Sequence, residues 1–242
     1  MTKMTKKEKQ IQELDPRFFK GIAHRGLHNQ EFTENGRKAF QNAIDHDYTI
    51  ELDVHLTKDN RLVVVHDSEL KRVTGKEGIV EERTVKEIQD GYRLLDGEKI
   101  PTFQEVLALV NEQVPLVVEL KTYKGNNGPL ARKAIEELSK IKDKSKYRII
   151  AFDPRSLIRR KKTGIHTSLL IAKQRRDVFF FRHLFDSVDI EWVRLKTKKV
   201  ISYRKKHLLN AWTIDTEEKL KIAREYADLC TFQDIDYRKA AE

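Results

Sequence analysis

IAHRG at 22–26, IELDVHL at 50–56 and KDNRLVVVHD at 58–67 are short apolar runs that carry or end in charged side chains. Alternation in the second run puts Ile50, Leu52 and Val54 on one face of a strand and Glu51, Asp53 and His55 on the other. Lys58, Asp59 and Asn60 form a turn signal before the apolar Leu62–Val65. His24 and Arg25 follow the first run and His66 ends the third, so polar chemistry gathers where strands stop.

The pattern recurs along the chain. Strands are expected at 18–23, 48–56, 116–120, 148–152, 167–172, 187–192, 209–214 and 228–232. Helix starts are expected at Thr33, at Thr84 with Glu87, at Thr102 with Glu105, at Pro129, at Asp153-Pro154 and at Asp215 with Glu218. Residues 68–83 read as loop, broken by Gly75 and Gly78, and Lys198 to Lys206 as a basic helix. Strands alternating with helices argue for βα units and a parallel sheet. A closed (β/α)8 barrel takes about 250 residues, and this chain has 242. The expected fold is therefore α/β, a TIM barrel over 16–242, preceded by a polar extension or short helix over 1–15. The dinucleotide turn G-x-G-x-x-G, the G-x-x-x-x-G-K-[ST] loop and the G-x-S-x-G elbow do not occur.

Charge is uneven. The formal net charge is +10, and residues 131–210 hold 23 basic and 8 acidic side chains. A solvated lysine-rich surface accounts for this, and so does peripheral contact with an anionic membrane. Nucleic acid is not expected, because no zinc-finger spacing or RNA-binding motif accompanies the charge. The single cysteine, Cys230, leaves no intrachain disulfide and no thiolate metal site. The basic N-terminus has no apolar segment behind it, and no window is long enough to span a bilayer. A cytoplasmic location is the default expectation.

Barrel enzymes place their chemistry at the C-terminal ends of strands. There lie His24, Arg25, Glu51, Asp53, His66, Glu119 and Lys121. Glu51 and Asp53 point the same way and repel unless a cation or a proton is shared. With Glu119 they form an all-oxygen set suited to one hard divalent cation, Mg2+ or Ca2+. The competing reading pairs them with Lys121 and Arg25. Two histidines nearby suit acid–base work. Arg25 offers a fork for phosphate, and Gly26 allows close backbone approach. The set suits a phosphodiester with one divalent cation.

HRG at 24–26, EN at 34–35, ELDVHLTKDNRLVVVHD at 51–67, ELK at 119–121 and AWTID at 211–215 occur in this order between matching strands. In these motifs the chain is similar to the glycerophosphodiester phosphodiesterase family. The resemblance implies a TIM barrel with a small insertion after strand two. It implies divalent-cation-dependent hydrolysis of glycerophosphodiesters to glycerol 3-phosphate and an alcohol. By motif, His24 and His66 become the catalytic pair, Glu51, Asp53 and Glu119 the metal ligands, and Arg25 and Lys121 the phosphate contacts. Glu34, Asn35, Phe152 and Trp212 become candidates for the substrate pocket, although core packing also accounts for Phe152 and Trp212. Departures are Thr33-Glu34-Asn35-Gly36 for the family's Pro-Glu-Asn-Thr, Asn60 for its turn glycine, and CTFQDIDY at 230–237 for its Thr-Asp-x-Pro, which leaves the counterpart of that aspartate open at Asp234. The FFF run at 179–181, beside Arg175, Arg176, Arg182 and His183, is expected to be buried; exposed, it is an interfacial anchor. Alternative activities are lysophospholipase D or sphingomyelinase D-like cleavage of lysophospholipids, and an inactive barrel that binds anionic lipid or phosphate.

Overall fold

The structure, a computed structural model, describes residues 4–158, 163–175 and 177–238. Arg176 and parts of the expected barrel domain (159–162 and 239–242) lie outside the described residues. The strands are β1 (Ile22–Ala23), β2 (Thr49–Leu56), β3 (Leu62–Val64), β4 (Leu116–Leu120), β5 (Tyr147–Ala151), β6 (His166–Ile171), β7 (Ser187–Glu191), β8 (Leu209–Ile214) and β9 (Leu229–Phe232). All but β3 run parallel, and β1 pairs with both β2 and β9, which closes an eight-stranded barrel. The helices are α1 (Lys6–Gln12), α2 (Arg37–Asp45), α3 (Lys71–Thr74), α4 (Val85–Gly91), α5 (Phe103–Val110), α6 (Asn127–Leu138), α7 (Pro154–Ile158), α8 (Lys198–Arg204) and α9 (Glu217–Tyr226). Ile50, Leu52 and Val54 pack outward with Phe40, Phe103, Val106 and Leu130 of the helices. Glu51, Asp53 and His55 are equally buried, on the opposite face.

The first strand is shorter than its apolar run suggests. Pro16 sets the backbone for a 3-10 turn over Pro16–Lys20, capped by the Asp15 side chain, so only Ile22 and Ala23 remain in the sheet. Phe18 is turned into the barrel instead, against Ile22, Val117, Ile150 and Leu170. Gln10 of α1 reaches the backbone of Asp186 and Leu208 and ties that helix to the barrel.

The short β1 positions the site. Arg25 and Gly26 have φ of 55° and 80°, so the chain turns away directly after the strand. A side chain at Gly26 would stand 2.9 Å from the Ala39 backbone and the Phe40 ring, so both the angle and the packing require glycine. The upper edge of β2 is thereby left for β3, which pairs antiparallel from Leu56↔Leu62 down to Val54↔Val64. This hairpin, turned at Asn60 with φ 55°, returns the chain to the level of Asp53, where the Val65 amide donates to the Asp53 carbonyl. His66 follows.

The insertion between β2 and β4 has a small core of its own, built from Val63, Val65, Leu70, Val73, Val80, Ile88, Tyr92, Leu94 and Ile100. Residues 68–83 are not all loop: they hold α3 and a 3-10 turn at Val80–Glu82. The capping boxes at Thr84 and Thr102 form as expected. Thr33 does not cap α2. It exchanges hydrogen bonds with Asp96 of the insertion, while Gly36 takes the cap position and Glu98 accepts from the Lys38 amide. Pro129 is the third rather than the first residue of α6, and Thr216, not Asp215, caps α9. The phenylalanine run is divided: Phe179 is buried, whereas Phe180 is 80% exposed. Among the described residues no helix is long and apolar enough to cross a membrane.

Candidate active site

Glu51, Asp53 and Glu119 each present a carboxylate oxygen within 4.8 Å of the others, and all three are buried. The register explains this. Asp53 and Glu119 are direct partners across β2 and β4, and Glu51 lies one inward-facing position below Asp53. Lys121 Nζ stands 2.6 Å from Glu119 Oε1 and 3.1 Å from Asp53 Oδ1. Arg25 donates its backbone amide to Glu51 Oε2 at 3.0 Å, and its Nε lies 3.5 Å from Asp53 Oδ2. Both sequence-level readings are therefore present together: the carboxylates are clustered and are partly ion-paired.

The balance of charge separates them. Glu51 Oε1 is buried and has no hydrogen-bond partner among the described residues. Burial, reinforced by Asp53 and Glu119, pushes the Glu51 carboxyl well above its usual range. Burial also raises Glu119, against the pull of Lys121. Burial acts the same way on Asp53, but Lys121, His66 and Arg25 outweigh it and hold that carboxyl well below the ordinary value. The site as it stands does not hold three negative charges without another cation. An all-oxygen donor set with one unpartnered buried oxygen fits a hard divalent ion.

Two histidines face this cluster. His24 Nδ1 lies 2.5 Å from Gln233 Oε1, and its Nε2 lies 4.0 Å from Glu51 Oε2. The amide of Gln233 is oriented by Asp234, whose Oδ2 accepts from Nε2 at 2.8 Å. The amide oxygen therefore faces the ring, Nδ1 carries the hydrogen, and Nε2 presents a lone pair. Burial, with Arg25 beside it, lowers His24 to about 4. His66 is arranged differently. Its Nδ1 lies 2.6 Å from Asp67 Oδ1, and burial together with Lys121 lowers its pKa against the pull of Asp53 and Asp67. A chain of ion pairs continues from Asp67 through Arg72 and Glu34 to Arg25. His55 holds the His66 carbonyl at 2.9 Å and is itself held by Glu81.

His24, Arg25, Glu51, His66, Glu119 and Lys121 line one cavity of about 130 Å³, whose outer wall includes Phe152 and Trp212. Those two rings meet edge to face at 5.6 Å. A wider cleft of about 840 Å³ shares His66, Glu119, Lys121 and Phe152. Glu34 and Asn35, expected at the pocket, are not among the lining residues. Asn35, held at φ 56°, donates to Asp53 Oδ2 at 2.9 Å and accepts from the Asp53 amide at 3.2 Å. It orients a carboxylate from behind, and Glu34 braces Arg25.

Sequence reasoning missed Gln233. The resemblance left the counterpart of the family's aspartate open at Asp234, and here Asp234 reaches His24 through Gln233. The signal was positional: the residue directly after β9 lies beside the residue directly after β1, because the two strands pair Ala23 with Phe232.

Residues 24–234 match the model of the Glycerophosphoryl diester phosphodiesterase family. The Bacillus subtilis protein YhdW is 30% identical over 212 residues, which cover 81% of this chain and 86% of YhdW. A glycerophosphodiester phosphodiesterase from Caldanaerobacter subterraneus is 35% identical over 165 residues, 63% of this chain and 66% of that protein. The crystal structure of a glycerophosphodiester phosphodiesterase from Thermotoga maritima superposes with a TM-score of 0.72 at 27% identity, covering 87% of this chain and 92% of that one. With the barrel, the inserted hairpin and the carboxylate cluster all inside the matched span, this chain belongs to the glycerophosphoryl diester phosphodiesterase family.

Proposed function

We propose that this site hydrolyses glycerophosphodiesters to glycerol 3-phosphate and an alcohol, with Glu51, Asp53 and Glu119 holding one divalent cation, Mg2+ or Ca2+. The observation that carries this reading is three buried carboxylates facing two histidines across a cavity that also exposes Arg25 and Lys121. The cation, when bound, supplies positive charge against the phosphoryl oxygens and stabilises their charge in the transition state.

The rest of the chemistry belongs to side chains. Arg25 and Lys121 bind and orient the phosphate; Arg25 is fixed for this by Glu34 and by its own left-handed backbone. His24, neutral and backed by the uncharged Gln233, accepts a proton at Nε2 from the attacking hydroxyl. That hydroxyl belongs to water or to the glycerol of the substrate. His66, backed by the Asp67 carboxylate, is the ring better suited to hold a proton and to deliver it to the leaving oxygen. Phe152 and Trp212 close one side of the cavity and limit access of water. The exposed edge of Phe152, beside the half-buried Trp212, also favours a second reading, cleavage of lysophospholipids, which present the same diester beside an acyl chain.

The test is release of glycerol 3-phosphate from glycerophosphocholine and glycerophosphoethanolamine, with a lysophospholipid in parallel, under Mg2+, Ca2+ or EDTA. Turnover of a glycerophosphodiester that EDTA abolishes and either ion restores is expected. Full turnover in EDTA would sink the metal assignment. Turnover unchanged in His24→Ala would sink the acid–base one.

A further inference from the structure

On a face that shares no lining residue with the catalytic cavity, the outer wall of the barrel is incomplete. Between β6 and β7 the layer of helices is replaced by a 3-10 segment, Asp177–Leu184. Phe179 enters the core beneath it, held between the guanidinium groups of Arg182 at 4.7 Å and Arg194 at 5.9 Å from its ring centre. Phe180 cannot follow. It is 80% exposed and makes an edge contact at 5.8 Å with Phe181, itself 39% exposed. Beside them, between this segment and α8, runs a groove of about 1030 Å³. One of its ends is at Lys173 and Val193, just past the C-terminal ends of β6 and β7. The other is at Lys206 and His207, just before β8.

Among the described residues, the lining of that groove contains lysine, arginine, histidine, aromatic and small polar residues and one valine, and no carboxylate. Lys173, Lys198, Lys199 and Lys206 are exposed and make no ion pair among the described residues. Tyr203 Oη and His207 Nδ1, two polar atoms of the same lining, are buried without a hydrogen-bond partner among the described residues. An exposed aromatic pair set within such a field does not suit a purely aqueous surface, and it does not suit an apolar protein partner, which would have to desolvate the lysines. It suits a surface that is anionic at its face and apolar just beneath.

We propose that this wall docks on an anionic phospholipid bilayer, with Phe180 and Phe181 entering the headgroup–acyl boundary and the lysines of the groove and α8 lying against the lipid phosphates. This holds whether or not the hydrolytic reading is right, since none of these residues lines the catalytic cavity.

The experiment is co-sedimentation of the full chain with vesicles of phosphatidylcholine alone and of phosphatidylcholine mixed with phosphatidylglycerol. Preferential binding to the anionic vesicles, weakened by added salt, is expected. Each surface lysine contributes about fivefold to such binding, so Lys198→Gln with Lys199→Gln lowers the partition coefficient roughly 25-fold. Phe180→Ser, at a site too exposed to matter for folding, lowers it about fivefold. Both variants keep wild-type turnover of a soluble glycerophosphodiester and wild-type melting. Equal binding to both kinds of vesicle, or none, overturns the proposal. So does a loss in the lysine variant with no change in Phe180→Ser, together with equally tight binding to heparin. That pattern would assign the groove to a soluble polyanion.

Discussion

Two clusters of buried charge share this barrel, and they are built on opposite principles. Deep inside, Arg148 of β5 meets Asp189 of β7 at 2.7 Å, both fully enclosed. Asp189 also accepts from Ser168 and, at 2.7 Å, from Asn210, while Ser187 bonds both Arg148 and His166. One cation faces one carboxylate, and the surrounding hydroxyl and amide groups belong to neighbouring strands. At the C-terminal end, three carboxylates face one lysine and share the edge of one arginine. The deep cluster has its charges matched within the chain, although Arg148 Nε and Nη1 and Asn210 Oδ1 have no hydrogen-bond partner among the described residues. The upper one becomes balanced only when something positive joins it. The same low-dielectric interior makes the first a structural pair and the second a binding site.

The comparison fails if the two clusters respond alike to losing a charge. Asp189→Leu strands the Arg148 guanidinium in the interior and should lower stability by about 3–5 kcal/mol, read from urea or thermal denaturation. Glu51→Gln removes a carboxylate that burial and its neighbours already oppose, so in EDTA its melting temperature should be at or above wild type, while turnover is lost. A large destabilisation of Glu51→Gln without metal would show that the upper cluster is also structural.

Next in size is the effect of the ion. At a hundredfold excess over its dissociation constant, Mg2+ or Ca2+ should stabilise the wild-type chain by about 2.7 kcal/mol. The shift should vanish in Glu119→Gln and persist in Lys198→Gln. A calorimetric scan with and without EDTA measures it, and an equal shift in Glu119→Gln would remove that residue from the ligand set.

The deep cluster has its own signature in acid. His166 is buried, and burial with Arg148 close by lowers its pKa to about 3, against Asp186 and Asp189, which raise it. The unfolded chain titrates this ring near 6.5. Below that pH the unfolded state binds a proton the folded state refuses, so the stability His166 contributes is present above about 6.5 and is lost as pH falls toward 3. The slope approaches about 1.4 kcal/mol per pH unit in that window. His166→Gln should flatten the stability–pH curve between those limits. An unchanged slope would mean that the ring is accommodated in its charged form.

The sequence made the upper cluster visible and the lower one almost invisible. Glu51, Asp53, His66, Glu119 and Lys121 stand in order at the ends of apolar runs, where a period of two and a barrel topology place them together. The chain Arg148–Asp189–Asn210 is scattered over three strands with no local pattern, and only the register β5–β6–β7–β8 makes it a unit. The eight-strand alternation was legible for the same reason as the upper site. What was not legible depended on local backbone competition: Pro16 and Asp15 shortened β1, and the carboxylate of Glu98, sixty residues away, did the capping that Thr33 was expected to do.

Gln233 offers the smallest effect and the finest test of the upper cluster. Its amide oxygen fixes the hydrogen of His24 on Nδ1, and it does so without adding charge. Removing it in Gln233→Ala leaves the ring free to turn and to hold its proton on either nitrogen, so kcat should fall about tenfold with KM little changed. A packing role alone would give lower stability with kcat preserved. Gln233→Glu separates orientation from charge. The carboxylate can still accept from Nδ1, so most of kcat should return. It also favours the protonated ring and raises the pKa of His24. Because His24 is proposed to act in its neutral form, the acid limb of kcat/KM should then move to higher pH. If that limb stays in place while the rate recovers, the base that titrates in the free enzyme is not His24, and the two histidines exchange roles.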